Sequence, residues 1–325
     1  MSVRATEIAQ SLRTGIEQVI VGNESSAYAF VLAALGNGHI LLEGVPGTAK
    51  TLLVRTVAAL LGIEFRRIQF TPDLMPSDVV GTTVFNPKTA EFSLRRGPIF
   101  TNVLLADEIN RTPPKTQSAL LEAMEERQVT IDGQSEPLEG AFIVCATQNP
   151  IEFEGTYPLP EAQLDRFFVR ARTGYPSEAQ ERALLARGAR GIDARELVAS
   201  TLRPIASEAD LLAAQREIRT IFVADALQGY IYAIVAKTRA ANDVALGASP
   251  RGALALLAAA QAAAAVEGRD FATPDDVKSV APLVLAHRII VRPEAEIEGV
   301  TAESVIGRIL GAVEMPKDAL TRAAG

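Results

Sequence analysis

The chain has one cysteine among 325 residues, only two histidines, and no run of lysine and arginine long enough to form a basic stripe. Each scarcity removes a class of function. A single cysteine cannot form an intramolecular disulfide and is compatible with a reducing compartment. Cys145 lies in the apolar run 141–146 with no cationic or histidine neighbour in sequence to favour thiolate, and reads as core packing rather than a reactive thiol. His39 and His287 are too few for a histidine-rich metal site. With a net charge of −7 and no basic stripe, nucleic acid is a disfavoured partner.

The N-terminus lacks the charged, apolar and small-residue order of a secretory signal. It opens instead on a helical pattern, Ile8, Leu12, Ile16, Val19 and Ile20, which predicts a cytoplasmic location. The most apolar stretch, residues 252–266, is dominated by alanine, interrupted by Gln261 and too short to span a bilayer, so it predicts a packing helix and no membrane insertion.

What is present is a 48% hydrophobic chain, able to bury a substantial core and long enough for two domains. Strand-like runs at 39–42, 65–70, 103–106 and 142–146 alternate with helices near 49–61 and 113–126. Alternation of this kind predicts an α/β domain with a parallel sheet covered by helices. After about Ser200 strand signals stop and helices begin at recognisable caps: Ser207 with Glu208, Ser249 with Pro250, Thr273 with Pro274, and Thr301. The organisation expected is therefore an α/β core over 1–200 and a smaller all-α domain over 201–325.

The segment from Ile40 to Thr51 reads strand, loop, helix. Within it Gly44, Val45, Pro46, Gly47, Thr48, Ala49, Lys50 and Thr51 fit a phosphate-binding loop with alanine where the general pattern has glycine. Gly44 and Gly47 allow backbone N–H groups to curl around phosphate, Lys50 reaches the β/γ-phosphates, the Thr51 hydroxyl can ligate Mg²⁺, and the following helix adds its positive end. This predicts binding of a nucleoside triphosphate. A second apolar run, 102–106, ends in Asp107 and Glu108. Acids at the carboxyl end of a buried strand face the ligand, so Asp107 is placed to hold Mg²⁺ and Glu108 to polarise a water attacking the γ-phosphate. Past the strand at 142–146, Asn149 reaches the same sheet edge, either to position that water or as a turn residue before Pro150.

Two insertions interrupt the core. Residues 71–98 hold two extended stretches with the basic pair Arg95 and Arg96, and residues 128–137 hold Asp132-Gly133, a hairpin signal. Both read as β-hairpins, either surface decoration or moving elements that touch a partner. Arg166, in Leu164-Asp165-Arg166-Phe167-Phe168, fits an internal ion pair with Asp165 or another acid, or a reach across an interface to a neighbour's γ-phosphate. Arg251 falls in the first turn of a helix capped by Ser249 and Pro250, where a cation opposes the helix dipole; an anion such as the γ-phosphate, or plain solvation, explains it.

Together these motifs resemble the AAA+ ATPases and, within them, the MoxR group, across nearly the whole chain. The loop with Ala49 before Lys50 is similar to that group's own phosphate loop. Residues 106–111 and 146–150 resemble its Walker B and first-sensor motifs, and the run from Glu154 to Phe167 is the most distinctive match. The resemblance implies ATP/ADP and Mg²⁺ as ligands, Arg166 as an arginine finger acting in trans, and Arg251 as the second sensor on the lid. It implies that the insertions are a helix-2 insert and a pre-sensor hairpin. Val21 and Gly22 match the stretch that packs on adenine, although Asn23 stands where a glutamine is expected. It also implies a homo-oligomeric ring, commonly a hexamer, acting as a chaperone that matures partner complexes, some with von Willebrand factor A domains. An ATP-gated assembly switch is an alternative reading, and the kinship of the hairpins alone suggests a nucleic-acid motor, which the acidic balance opposes.

Overall fold

The computed structural model describes residues 3–88, 90–150, 155–200 and 202–316. Helices α1 (Val3–Val19) and α2 (Glu24–Leu35) lead into the core. There β1 (Ile40–Gly44), α3 (Lys50–Leu60), β2 (Phe65–Gln69) and α4 (Pro76–Val80) precede a hairpin of β3 (Gly81–Asn86) and β4 (Glu91–Arg96). The chain continues through β5 (Val103–Asp107) and α5 (Pro114–Glu126) to a second hairpin, β6 (Gln128–Ile131) with β7 (Gln134–Pro137). Next come β8 (Ile143–Gln148), α6 (Glu161–Leu164), β9 (Val169–Thr173), α7 (Glu178–Ala189) and α8 (Ala194–Ser200).

Five strands form one parallel sheet in the order β2, β5, β8, β1, β9. Their apolar runs look continuous in sequence because both faces are covered. Ile40, Leu42, Val103, Leu105 and Cys145 enter one core, and Leu41, Leu104, Ala106, Val144 and Ala146 enter the other. Cys145 is fully buried and burial pushes its thiol pKa up, in keeping with a packing role.

The strand β9 is absent from the sequence reading. Arg170 and Arg172 interrupt its apolar pattern, and both turn outward to Glu43 and to Glu303 of the lid. An edge strand can carry such residues because only part of it is covered.

Both insertions are antiparallel hairpins. Asp132 and Gly133 take positive φ of 50° and 82°, as a tight two-residue hairpin turn requires. The two hairpins touch: Thr83 N donates to Asp132 Oδ2 at 3.0 Å, and Arg96 meets Glu136 at 3.5 Å. The first insertion also contains α4, which the sequence reading left out.

The C-terminal third is built from α9 (Glu208–Ile218), α10 (Asp225–Ala240), α11 (Pro250–Val266), α12 (Pro274–Leu285), α13 (Pro293–Ile297) and α14 (Ala302–Ala312). Side chains of Ser207, Ser249, Thr273 and Thr301 cap α9, α11, α12 and α14 through the backbone N–H three residues on. The expectation of no strand beyond Ser200 is corrected by a short antiparallel ribbon, β10 (Val244–Leu246) with β11 (Ile290–Val291). These segments are too short for a periodicity to register. The alanine-rich stretch forms α11, and among the described residues no helix is long and apolar enough to cross a membrane. Core and lid share one apolar cluster, reinforced by Gln215 Nε2 donating to the Ala34 carbonyl at 2.7 Å.

His39 enters β1 fully enclosed. Its Nδ1 accepts from Val144 N at 3.0 Å and its Nε2 lies 3.1 Å from the Met124 carbonyl, a pattern that fits only the neutral ring. Burial, assisted by Arg127, lowers its pKa from 6.5 to about 3. The unfolded chain therefore binds a proton that the folded chain refuses between those values. Stability contributed by neutral His39 is complete above about pH 6.5 and falls by about 1.4 kcal/mol per pH unit below it. Urea midpoints measured from pH 7 to 5 should drop accordingly; a flat profile would contradict the buried neutral ring.

Candidate functional site

The carboxyl ends of β1, β5 and β8 open into one cavity of about 690 Å³. Ligands collect at this edge in open α/β sheets. Gly44, Pro46, Gly47, Thr48, Ala49, Lys50 and Thr51 line it from the β1–α3 loop, Asp107 and Glu108 from β5, and Asn149 from the end of β8. The elements predicted separately from sequence are thus brought together at one place.

Local geometry explains the loop's composition. Gly44 ends β1 beside β9, where an added Cβ would stand 2.2 Å from the Thr173 carbonyl oxygen; here glycine serves close strand packing as well as loop shape. Gly47 has φ +82° with open space around it. Val45 does not line the cavity, but its carbonyl accepts from Thr48 Oγ1 at 3.0 Å and closes the loop. Ala49 precedes the first turn of α3 with φ 58°, a left-handed conformation that costs a non-glycine residue about 1 kcal/mol. Ala49→Gly should relieve that cost and raise Tm by roughly 2 °C, read by calorimetry. A lowered Tm would contradict the strain. The Lys50 ammonium, half-buried, donates to the Gly44 carbonyl; burial lowers its pKa, while Asp107 most strongly, with Cys145 and Glu108, opposes that shift.

Cross-strand neighbours hold the two acids. Thr147 Oγ1 donates to Asp107 Oδ1 at 2.6 Å and accepts from Glu108 N at 2.9 Å. Arg67 donates to Asp107 Oδ2 through Nη2 at 2.7 Å and Nε at 3.1 Å, and Gln69 Nε2 donates to Glu108 Oε2 at 2.6 Å. Arg111 also meets Glu108 at 3.2 Å. Sequence reading missed Arg67, Gln69 and Thr147. For Arg67 and Gln69 the only local signal is polar residues at i, i+2 inside a strand, a pattern Thr147 lacks in β8; the β2–β5 register that sets Gln69 against Asp107 is tertiary.

A second cavity of about 190 Å³ adjoins the loop, sharing Gly47, Thr48 and Ala49 with the first. Val21 and Asn23 line it on one side, Leu184, Ile192 and Leu197 on the other. Gly22 does not. It turns the chain at φ +78°, so that Asn23 Nδ2 donates to the Thr48 carbonyl at 2.8 Å.

Arg166 and Arg251 line neither cavity. Arg166 does not pair with Asp165; its Nε lies 3.2 Å from Glu125 Oε2, and Arg251 Nη2 pairs with the other oxygen of the same carboxylate. The structure therefore separates both arginines from the phosphate loop of their own chain. Of the distinctive motif that precedes Arg166, Glu154 lies outside the described residues.

Residues 39–169 match the ATPase family associated with various cellular activities (AAA), and residues 236–309 match the AAA lid domain. Fold and site thus define an AAA ATPase. The chain is 45% identical to chaperone MoxR1 of Mycobacterium tuberculosis over 93% of its length and 81% of that protein's. It is 32% identical to protein MoxR of Paracoccus denitrificans, over 86% of this chain and 87% of that one. It belongs to the MoxR family. A solved structure of a candidate ATPase from Cytophaga hutchinsonii superposes with a TM-score of 0.88 at 40% identity, covering 97% of each chain.

Proposed function

We propose that this chain binds ATP with Mg²⁺, hydrolyses it at a site completed by a second copy of itself, and uses the resulting motion to remodel partner proteins. The observation that carries this reading is the division of charged groups. The phosphate loop, both acids and Asn149 share one cavity, while two arginines suited to phosphate are held elsewhere on Glu125.

Triphosphate occupies the loop from Gly44 to Thr51, and adenine the cavity beside Val21. Thr51 and Asp107 line the same cavity and offer hard oxygen donors, a donor set that fits Mg²⁺. Bound there, the ion would supply charge neutralisation on the β- and γ-phosphates. Lys50 neutralises the same oxygens. Asn149 orients water, and Glu108 takes its proton as the water oxygen bonds to the γ-phosphorus; the bond to the bridging oxygen breaks and its electrons leave with ADP. Arg166 of a neighbour stabilises the charge on the transferring group, and Arg251, absent from its own chain's cavity, acts on the same side.

A ring, commonly a hexamer, satisfies this requirement for a neighbour at every site. The chaperone name of the mycobacterial relative supports partner remodelling, with von Willebrand factor A domain proteins as candidate clients in the cytoplasm. One observation favours a second reading, the ATP-gated assembly switch: Gln69 and Arg111 both engage Glu108, so turnover waits on their release. The net charge of −7 disfavours a nucleic-acid motor. Phosphate release from ATP by the purified chain, lost in Glu108→Gln, tests the hydrolytic reading. Capture of partners by that variant in ATP identifies the client.

A further inference from the structure

The two arginines outside the phosphate cavity come from different parts of the chain, yet a buried joint sets them together. Asp165 follows α6, and its carboxylate is bound by the lid at both oxygens: Arg288 Nε donates to Oδ1 at 2.7 Å and Ser249 Oγ to Oδ2 at 2.9 Å. Arg288 also clasps the backbone of the same segment. Its Nη2 donates to the carbonyls of Asp165 at 3.0 Å and Phe167 at 2.6 Å, and its Nη1 to that of Phe168 at 3.3 Å. With only 2% of its side chain exposed, Arg288 spends its fork on this segment, the Val284 carbonyl and the ring Nε2 of His287 at 2.8 Å.

Such an arrangement is a poor way to gain stability. Burying an ion pair costs desolvation that apolar packing avoids, and its best-attested use is to fix one registry among several. The registry here is that of the two arginines. Arg166 is one residue beyond Asp165, and Arg251 two beyond Ser249. Both end on the single carboxylate of Glu125, at the last turn of α5. Their side chains are 31% and 45% exposed, so the cluster of two guanidinium groups and one carboxylate keeps a net positive charge on the surface. A phosphate has the charge and the acceptor geometry to take both forks.

We propose that Asp165, Ser249 and Arg288 are positioning residues that hold Arg166 and Arg251 side by side, so that they engage the triphosphate of a second copy as one two-pronged group. Glu125 is the internal anion that keeps the pair aligned until phosphate replaces it. The joint ties the lid to the core segment that carries Arg166, so a lid that swings away parts the two arginines, which couples lid position to the neighbour's site. This inference rests on the reading that Arg166 acts in trans.

The test mixes variants whose defects lie on opposite sides of an interface, with assembly of mixed species followed by native mass spectrometry. The reference arm combines Lys50→Ala, a donor of intact arginines, with Arg166→Ala, an acceptor with an intact loop; it should regain ATP turnover. Asp165→Asn alone should bind ATP within about two-fold of the parent and turn over at least ten-fold more slowly. As an acceptor beside Lys50→Ala donors it should be rescued. As a Lys50→Ala/Asp165→Asn donor it should fail to rescue Arg166→Ala. If the reference arm regains activity while the doubly substituted donor rescues equally well, the joint is overturned and the trans reading stands. If the reference arm itself fails in assembled mixtures, the trans reading falls.

Ser249→Asp gives an independent check that guards against misfolding of Asp165→Asn. Aspartate keeps the cap on α11 but sets a second carboxylate against Asp165. It should fail as a donor, whereas Ser249→Thr, retaining the hydroxyl, should serve as well as the parent. A fully competent Ser249→Asp donor would overturn the proposal.

Discussion

Glu108→Gln should leave ATP binding within a few-fold of the parent and reduce turnover by about 10³-fold. The substitution keeps the side chain's size and its place at the end of β5, where Glu108 N stays bonded to Thr147 Oγ1. What it removes is the basic oxygen. General-base assistance contributes about 10² to 10⁴ in rate, which sets the expected magnitude. Binding persists because the loop from Gly44 to Thr51 is untouched. Nucleotide affinity measured by titration beside steady-state phosphate release separates the two effects. Unchanged turnover would remove Glu108 from the mechanism.

The structure adds a companion to that acid. Gln69 Nε2 donates to Glu108 Oε2 at 2.6 Å, and Arg67 holds Asp107 from the same face of β2. A carboxylate engaged by an amide and by Arg111 is aimed at its neighbours rather than at water. Its freedom to accept a proton therefore depends on how β2 side chains respond when nucleotide arrives.

Arg166→Ala is expected to lower turnover by about 10³-fold or more, the range associated with an arginine that stabilises charge on a transferring phosphoryl group. ATP affinity of the isolated chain should not change, since Arg166 lines no part of its own chain's cavity. The loss in Arg166→Ala should appear at every protein concentration, whereas the parent should gain specific activity as copies associate. An Arg166→Ala protein that hydrolyses ATP like the parent would mean that the pair with Glu125 is only structural.

The parts of the site legible in sequence were those whose function depends on neighbours along the chain. Lys50 and Thr51 follow a loop with small residues in fixed order, and Asp107 and Glu108 terminate an apolar run. The lid helices announced themselves in the same way, through Ser207, Ser249, Thr273 and Thr301. What escaped depends on register or on contacts between distant segments. β9 hid because Arg170 and Arg172 alternate with its buried residues, and their partner Glu303 lies in α14. Arg67, Gln69 and Thr147 acquire a role only because β2, β5 and β8 are neighbours in the sheet. Arg166 was readable as a cation in search of an acid, but Asp165 beside it belongs to Arg288. Its actual partner, Glu125, is shared with Arg251 from the lid.

The division of one active site between two copies is tested most directly by mixing Lys50→Ala with Arg166→Ala, each inactive alone, under conditions where mixed assemblies form. A neighbour's intact arginine should then meet an intact phosphate loop, and ATP hydrolysis should reappear, rising and falling with the ratio of the two variants. Mixed assemblies that form and stay silent at every ratio would contradict a site completed in trans.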